Sequence, residues 1–348
     1  MPKAKVAVAI SGGVDSSVAA FLLREAACEV LGIHMRLRDS PDFEHQAHRA
    51  ENICRTLDIP YHQVDLQKEF ESCVVDYFCR EYQLGRTPNP CVACNEHMKF
   101  GILLDKALSL GANYLATGHY ARVVHSHDGH RLLKAKDTSR DQSYFLYTLT
   151  QEKLGHVLFP LGDHSRDEVK QMAKRAGLPT ITKSSQDICF ISQKNYGAFL
   201  SQRFGTMPGE VVDTQGKRLG QHRGIAFYTI GQRHGLGLAS GEPLYVIRIE
   251  PEHNRIVLGP EKELYSRKLT AGKVNWISGR APREPLTARA KIRYKSKEAD
   301  VVLFFRNDSV DVNFAQPQKA VTPGQAIVFY NVDEVLGGGV IDSAEIGA

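Results

Sequence analysis

The sequence predicts an α/β protein in three parts: a doubly wound parallel sheet, a small β-rich central domain and a C-terminal antiparallel β-barrel. Three observations carry this prediction. Apolar strand-like runs alternate with helix-periodic segments through the first half, the pattern of an open parallel sheet covered on both faces. Near residue 200 this gives way to short β-type runs punctuated by Gly and Pro. From about Gly272 a third stretch carries further short runs, spaced as in a small barrel or sandwich. The chain has 348 residues, and at roughly 100–200 residues per domain two or three domains are expected. The boundaries are placed at 1–199, 200–268 and 269–348.

Val6-Ala7-Val8-Ala9-Ile10 is an unbroken apolar run before a Gly-containing turn, as in a buried parallel strand. Val14, Val18, Phe21 and Leu22 then recur at helical spacing. Glu29–Met35 reads as the second strand, Phe43–Leu57 as a helix stopped by Pro60, and Tyr61–Asp65 as a third, weakly signalled strand. A helix rich in aromatics and Cys spans Leu66–Tyr82, and Ala112–Thr117 is the fourth strand. Thr87–Asn95 is too Pro-rich for a helix and leads into one over Glu96–Leu110. Beyond Gly205 the strand candidates are Glu210–Val212, Ala226–Ile230, Leu244–Ile249 and Arg255–Leu258. The third part adds Lys273–Trp276, Leu286–Tyr294, Ala299–Phe305, Ser309–Phe314 and Ala326–Tyr330.

Hydrophobic residues make up 42% and charged residues 24%, which excludes a disordered, collagen-like or coiled-coil chain. No apolar run approaches the ~18 residues of a membrane helix; the longest is Val18–Leu23. Met1–Lys5 leads into too short an apolar run for a signal peptide. Seven cysteines, an odd number in a long chain, argue against a secreted disulfide scaffold. A cytoplasmic protein with reduced thiols is expected, with no membrane partner. The net charge of +5 tolerates a polyanionic partner without demanding one.

The strongest chemical motif is Ser11-Gly12-Gly13-Val14-Asp15-Ser16-Ser17, between the first strand and the first helix. Two glycines let backbone approach an anion, and the helix offers unpaired N–H groups and a positive dipole end. A Walker A lysine is absent, so this is not an ordinary P-loop. Without further context a plain βα turn would explain it equally well. Cys94 falls near the start of the Glu96–Leu110 helix, where the dipole lowers a thiol pKa. Cys189 sits in Ser184–Phe190; Cys28, Cys54, Cys73 and Cys79 read as small buried hydrophobes. Cys91-x-x-Cys94 is half a zinc site that His97 and Cys189 would complete, but no second Cys-x-x-Cys exists. Lys273–Lys297 is rich in Lys and Arg, with Glu284 its one acid. On a strand Lys291, Arg293, Lys295 and Lys297 would share one face, a row suited to phosphates or simply a solvated face.

The loop string resembles the SGGxDS signature of the PP-loop (N-type ATP pyrophosphatase) superfamily, whose sheet is of the adenine nucleotide alpha hydrolase type. The joint pattern resembles the bacterial tRNA-specific 2-thiouridylase (MnmA/TrmU) family: AISGGVDSS at 9–17, TPNPCVACN at 87–95, KFG at 99–101, ATGHYAR at 116–122, RDQSYFLY at 140–147, SSQDICFI at 184–191, YTIGQRHGLG at 228–237 and IRYKS at 292–296. The resemblance implies ATP cleavage between the α- and β-phosphates and adenylation of O2 of the wobble uridine (position 34) of the tRNAs for Lys, Glu and Gln. Sulfur then replaces that oxygen, giving 2-thiouridine, AMP and pyrophosphate. It implies that Ala9, Ile10, Ser11, Gly12, Gly13, Val14, Asp15 and Ser16 cradle ATP, that Asp15 organises Mg²⁺, and that Met35 and Gly118 grip adenosine. Cys189 would carry a persulfide, and Cys94 would be the nucleophile that releases its sulfur or closes a disulfide with it. Asn89, Pro90 and Cys91 would touch the target base; His119, Arg140, Asp141, Gln142, Arg293, Tyr294 and Gln325 would contact tRNA. Asp187 is an acid/base candidate. The expected sulfur donor is a cysteine desulfurase or a relay carrier protein, and the expected state a monomer. Many family members have Asp where this chain has Cys91. Cys91, Cys94 and Cys189 together resemble the set that holds a [4Fe–4S] cluster in related tRNA-thiolating enzymes. Other PP-loop enzymes of tRNA, making 2-thiocytidine or lysidine, and a non-catalytic tRNA-binding protein are the rival readings.

Overall fold

The computed structural model describes residues 3–178, 188–191, 196–238 and 242–345; Asp187 lies outside them. The N-terminal part is built on β1 (Lys5–Ala9), β2 (Glu29–Arg36), β3 (Tyr61–Asp65) and β4 (Tyr114–Ala116). A hairpin, β5 (Ala121–Ser126) and β6 (Gly129–Lys134), then leaves the sheet before the short edge strand β7 (Val157–Leu158). The sheet runs β3-β2-β1-β4-β7 with every pairing parallel. Side chains alternate across it, so β1 serves two cores: Val6 and Val8 pack into one, Ala7 into the other, all fully buried. The helix α1 (Val14–Glu25) turns Val14, Val18 and Ala19 inward. The next, α2 (Pro41–Thr56), opens with Pro in its first turn, where a missing N–H costs nothing.

The helix expected over Leu66–Tyr82 is continuous from Gln67 to Gln83, with a wide π-type stretch at Glu71–Val75. The Pro-rich segment corrects the sequence reading. Thr87–Asn89 is irregular, but a helix begins at Pro90, runs Pro90–Ala93, widens into a π-type stretch over Cys94–Leu103 and ends at Ser109. Cys94 therefore lies inside that helix, not ahead of it.

The central part is a four-stranded sheet of β8 (Gly209–Asp213), β9 (Arg218–His222), β10 (Tyr245–Glu250) and β11 (Arg255–Gly259), ordered β10-β11-β8-β9. The expected strand Ala226–Ile230 is not one. Ile225–Phe227 forms a 3₁₀ turn after Gly224, whose φ is +142°. The apolar run reflects burial of Ala226, Phe227 and Tyr228 in a core shared with the Gln67–Gln83 helix.

The C-terminal part is a closed six-stranded antiparallel barrel of β12 (Tyr265–Trp276), β13 (Leu286–Lys291), β14 (Ala299–Phe305), β15 (Ser309–Lys319), β16 (Ala326–Asn331) and β17 (Glu334–Ala344). The order β12-β15-β14-β13-β16-β17 closes by pairing β17 with β12. β6 pairs with β17 at its outside, so the N-terminal hairpin is stitched to the barrel. The expected row of bases on one strand is corrected: β13 ends at Lys291 and residues 292–296 turn, held by Ser296 N and Oγ donating to Arg293 O. Among the described residues no helix is long and apolar enough to cross a membrane.

Candidate active site

The loop Ser11–Ser17 sits at the carboxyl end of β1, where ligands meet sheets of this kind. Gly12 has φ +78°, and a Cβ there would lie 2.8 Å from Gln46 O, so only glycine fits without moving α2. Ser17 Oγ donates to Gly13 O (2.8 Å), and Ser16 Oγ accepts from Ser11 N (3.2 Å), drawing the loop tight. The loop of β4 closes over it. A Cβ on Gly118 would lie 2.7 Å from Asp15 C and from Ser16 N. The Asp15 carboxylate accepts from Tyr120 OH at 3.0 Å and pairs with Arg166 at 3.5 Å. Burial and that carboxylate push the Tyr120 phenol up, keeping it a donor.

Among the described residues, one buried polar atom near this loop, His34 Nε2, has no partner. His34 Nδ1 donates to Ile10 O (2.8 Å), and burial lowers the His34 pKa, leaving neutral Nε2 as an unpartnered buried acceptor beside Met35. Arg166 Nη1 makes no hydrogen bond, but it lies 3.5 Å from Asp15 Oδ2, so the carboxylate answers its charge. An unpartnered acceptor such as His34 Nε2 is costly unless something supplies the missing bond, and a nucleotide carries donors that would. Mg²⁺ keeps few protein ligands and takes the rest from phosphates and water, so a single carboxylate, Asp15, suits it.

The thiols gather around Lys99, whose partner His119 adjoins Gly118 and so the loop. Asn89 caps the thiol helix, its side chain accepting from Val92 N (3.4 Å). Cys91 lies in the first turn and is exposed; Cys94, a turn on, is half-buried. Cys189 comes from far along the chain and is exposed. It is held by Phe190, which packs edge-on against Phe70 (5.8 Å) and Phe78 (5.3 Å) and whose carbonyl accepts from Arg38 Nη1 (2.7 Å). The three thiols lie within electrostatic reach of one another and of Lys99. Burial pushes all three up, Cys189 to about 12, with Lys99 opposing. Thiols that water reaches and protein nonetheless desolvates line a cleft. The expected lowering of the Cys94 pKa by a helix terminus loses its basis, because the helix starts at Pro90 and burial pushes the thiol up. Cys54 and Cys79 are buried as expected, but Cys28 and Cys73 only half-buried.

Lys99 Nζ donates to His119 Nε2 (3.4 Å), and His119 Nδ1 donates to Thr117 Oγ1 (2.7 Å), the tautomer being fixed by the lysine. Burial and the lysine hold His119 well below its ordinary pKa, so it is neutral. His97, the conjectured zinc ligand, lines a separate groove with Tyr77, Arg80 and Lys273. No three His, Cys, Asp or Glu among the described residues are grouped to hold a metal.

Family models match nearly the whole chain: the tRNA methyl transferase HUP domain over residues 4–193, the tRNA methyl transferase PRC-barrel domain over 197–260 and the aminomethyltransferase beta-barrel domain over 266–341. The tRNA-specific 2-thiouridylase MnmA 1 of Syntrophus aciditrophicus is 46% identical, covering 98% of this chain and 94% of its own length. The tRNA-specific 2-thiouridylase MnmA of Acetivibrio thermocellus is also 46% identical, over 98% of this chain and all of its own. The chain belongs to the tRNA-specific 2-thiouridylase (MnmA/TrmU) family. Among solved structures, the U34-tRNA thiolase NcsA from Methanococcus maripaludis with its [4Fe–4S] cluster is 21% identical, covers 57% of this chain and 64% of its own, and gives a TM-score of 0.37.

For a thiouridylase the residues expected to meet RNA divide in two. Arg293, Lys295 and Lys297 are exposed and, with Lys319, line a groove of about 520 Å³ on the barrel. Arg293 Nη2 donates to Lys319 O (2.9 Å), and Tyr294 packs on Phe145 at 4.5 Å. The others have protein partners instead. Asp141 is buried and accepts from Ala135 N, Ser143 N and Ser143 Oγ. Gln142 Oε1 accepts from Tyr120 N (2.9 Å), Arg140 lies over the Tyr120 ring (5.9 Å), and Tyr120 is the donor to Asp15. Gln325 Nε2 donates to Thr87 O (2.9 Å) and Pro88 O (3.3 Å); Pro90 and His119 are buried. Lys99, Thr117, Tyr120 and Arg166 escaped the sequence reading, because only the fold brings them to Asp15 and the thiols.

Proposed function

We propose that the chain is an ATP-dependent tRNA uridine 2-sulfurtransferase acting on the wobble uridine of the tRNAs for Lys, Glu and Gln. The observation that carries the reading is the meeting of Cys94 and Cys189 near Lys99, whose partner His119 adjoins Gly118 on the Asp15–Ser16 backbone of the Gly-Gly loop. The loop from Ala9 to Ser16, with Met35 and Gly118, would hold ATP, and Asp15 would hold the Mg²⁺ that offsets phosphate charge. Uridine O2 attacks the α-phosphorus, pyrophosphate leaves, and C2 becomes open to substitution. The terminal sulfur of a Cys189 persulfide bonds to C2 as the C2–O bond breaks and AMP leaves with the electron pair. The Cys94 thiolate then attacks Cys189 Sγ, closing a disulfide and leaving the sulfur on the base; a thiol reductant resets the pair.

Asn89 and Pro90 start the helix that presents exposed Cys91 to the flipped base, unstacked to reach the thiols, and the Arg293 groove takes RNA phosphates. A cysteine desulfurase or a relay carrier supplies the sulfur, and the enzyme works as a cytoplasmic monomer. Incubation with unmodified tRNA, ATP and a persulfide donor tests the reading: 2-thiouridine, AMP and pyrophosphate are expected, and their absence overturns it. Four irons per chain after anaerobic purification, lost together with activity in Cys91→Ala, would replace the persulfide route with a cluster.

A further inference from the structure

Lys99 lies where the nucleotide loop and the thiols meet. Gly118 abuts the Asp15–Ser16 backbone, and its neighbour His119 accepts from Lys99 Nζ at 3.4 Å. In an ordinary helix, at about 100° per residue, Lys99 would sit about 140° around from Cys94. The Cys94–Leu103 stretch is instead wide, with i→i+5 hydrogen bonding, and kinks at Gly101 (φ −109°, ψ −105°). That widening carries Lys99 back toward the Cys94 side, within electrostatic reach of Cys91, Cys94 and Cys189 together. His119 is 8% exposed and Thr117 3%, so the partners that fix the ammonium are rigid. His119 is wedged between the rings of Phe100 (5.9 Å) and Phe159 (6.0 Å).

We propose that Lys99, held by His119 and Thr117, is the charge-balancing residue of the sulfur-transfer step, acting after adenylation rather than in it. The proposal rests on the thiolation reading above. Two anions meet in that step: the sulfur nucleophile arriving and the AMP phosphate leaving. A fixed ammonium beside both offsets their repulsion, and in a cleft partly shielded from water such a charge acts strongly. No contact ties Lys99 to Ser11–Ser17 among the described residues, whereas it couples to every thiol of the cleft. A neutral histidine as its hydrogen-bond partner suits this role, because a carboxylate would cancel the charge.

The test is a single-turnover reaction of the full chain with unmodified tRNA, ATP and sodium sulfide plus a persulfide donor, reading pyrophosphate and 2-thiouridine from the same sample. Wild type releases one pyrophosphate for each 2-thiouridine. In Lys99→Met, pyrophosphate release stays within about threefold while 2-thiouridine falls ~100-fold, the scale of removing a preorganised charge from a reacting centre. Lys99→Arg recovers roughly a tenth or more of the lost product, since it restores charge without the same geometry. Equal loss of both products in Lys99→Met, or loss of neither, overturns the assignment. Should that variant fail to fold, Thr117→Val decides, since it frees His119 without changing any charge. About fivefold less 2-thiouridine with pyrophosphate release kept supports the proposal, and any other split overturns it. Wild-type enzyme that releases pyrophosphate but never makes 2-thiouridine refutes the thiolation reading instead.

Discussion

Gly118 shows how little room the nucleotide site leaves. Its missing Cβ is what lets the β4 loop touch the Asp15–Ser16 backbone at 2.7 Å. Gly118→Ala is therefore expected to lower stability by about 1–3 kcal/mol and to slow pyrophosphate release roughly tenfold, as a displaced loop misplaces Asp15; urea melts and a phosphate-coupled assay read the two effects. Cys189 makes a different prediction. Burial holds its thiol up at about 12, so the folded chain binds that proton more tightly than the unfolded chain. Its contribution to stability is complete below pH ~9 and is lost as pH climbs toward 12. Alkylation of Cys189 by iodoacetamide should accordingly keep rising beyond pH 9; a plateau at neutral pH would mean the thiol is not desolvated. Cys189→Ser should abolish 2-thiouridine while tRNA affinity changes only a few-fold, because phosphate contacts dominate it.

At the scale of elements, the sequence was most legible where periodicity and burial agree. β1, β2, α2 and β3 lie within two residues of their expected bounds, since unbroken or regularly spaced apolar residues have one way to be buried. It misled where a short apolar run could be a turn as well as a strand, as at Ala226–Ile230. It also misled where proline was read only as a helix breaker: at Pro90 it is the first helical residue, a position that asks for no N–H. β17 was hidden by its glycines. Gly338 is needed there, because a Cβ would meet the Tyr147 ring at 2.8 Å and Ile327 O at 2.6 Å. The basic turn after β13 kept its exposed charges although it lost its strand. Arg293→Glu should weaken tRNA binding about tenfold at low salt and lower the slope of log K against log salt by about one or two. An unchanged slope places the RNA elsewhere. Pyrophosphate exchange without tRNA should not respond.

At the scale of the whole molecule, the barrel grips the segment that leads into the thiol helix. Thr87 N donates to Pro323 O (2.8 Å), Gln325 Nε2 to Thr87 O and Pro88 O, and Arg86 pairs with Asp342 (3.2 Å). Gly324 fits there because a Cβ would lie 2.9 Å from both Thr87 N and Thr87 O. The surface groove of Arg293 belongs to the same barrel, whose Tyr294 packs on Phe145; Phe145 O accepts from Asn95 Nδ2, next to Cys94. On the proposed reading, RNA on the barrel would be tied through these contacts to the helix that carries Cys94. Sequence resemblance makes Gln325 an RNA contact, whereas its side-chain amide serves two carbonyls of the protein. Gln325→Ala separates the roles. As a clamp it should lose about 1–3 kcal/mol of stability and roughly tenfold in the single-turnover rate of 2-thiouridine formation, because a small misplacement of Cys94 is felt directly in a reaction that needs near-contact geometry. tRNA affinity, measured by filter binding, should stay within about twofold. Weaker tRNA binding with an unchanged rate would make Gln325 the RNA contact and leave Gly324 and the Arg86–Asp342 pair to hold the barrel against the thiol helix.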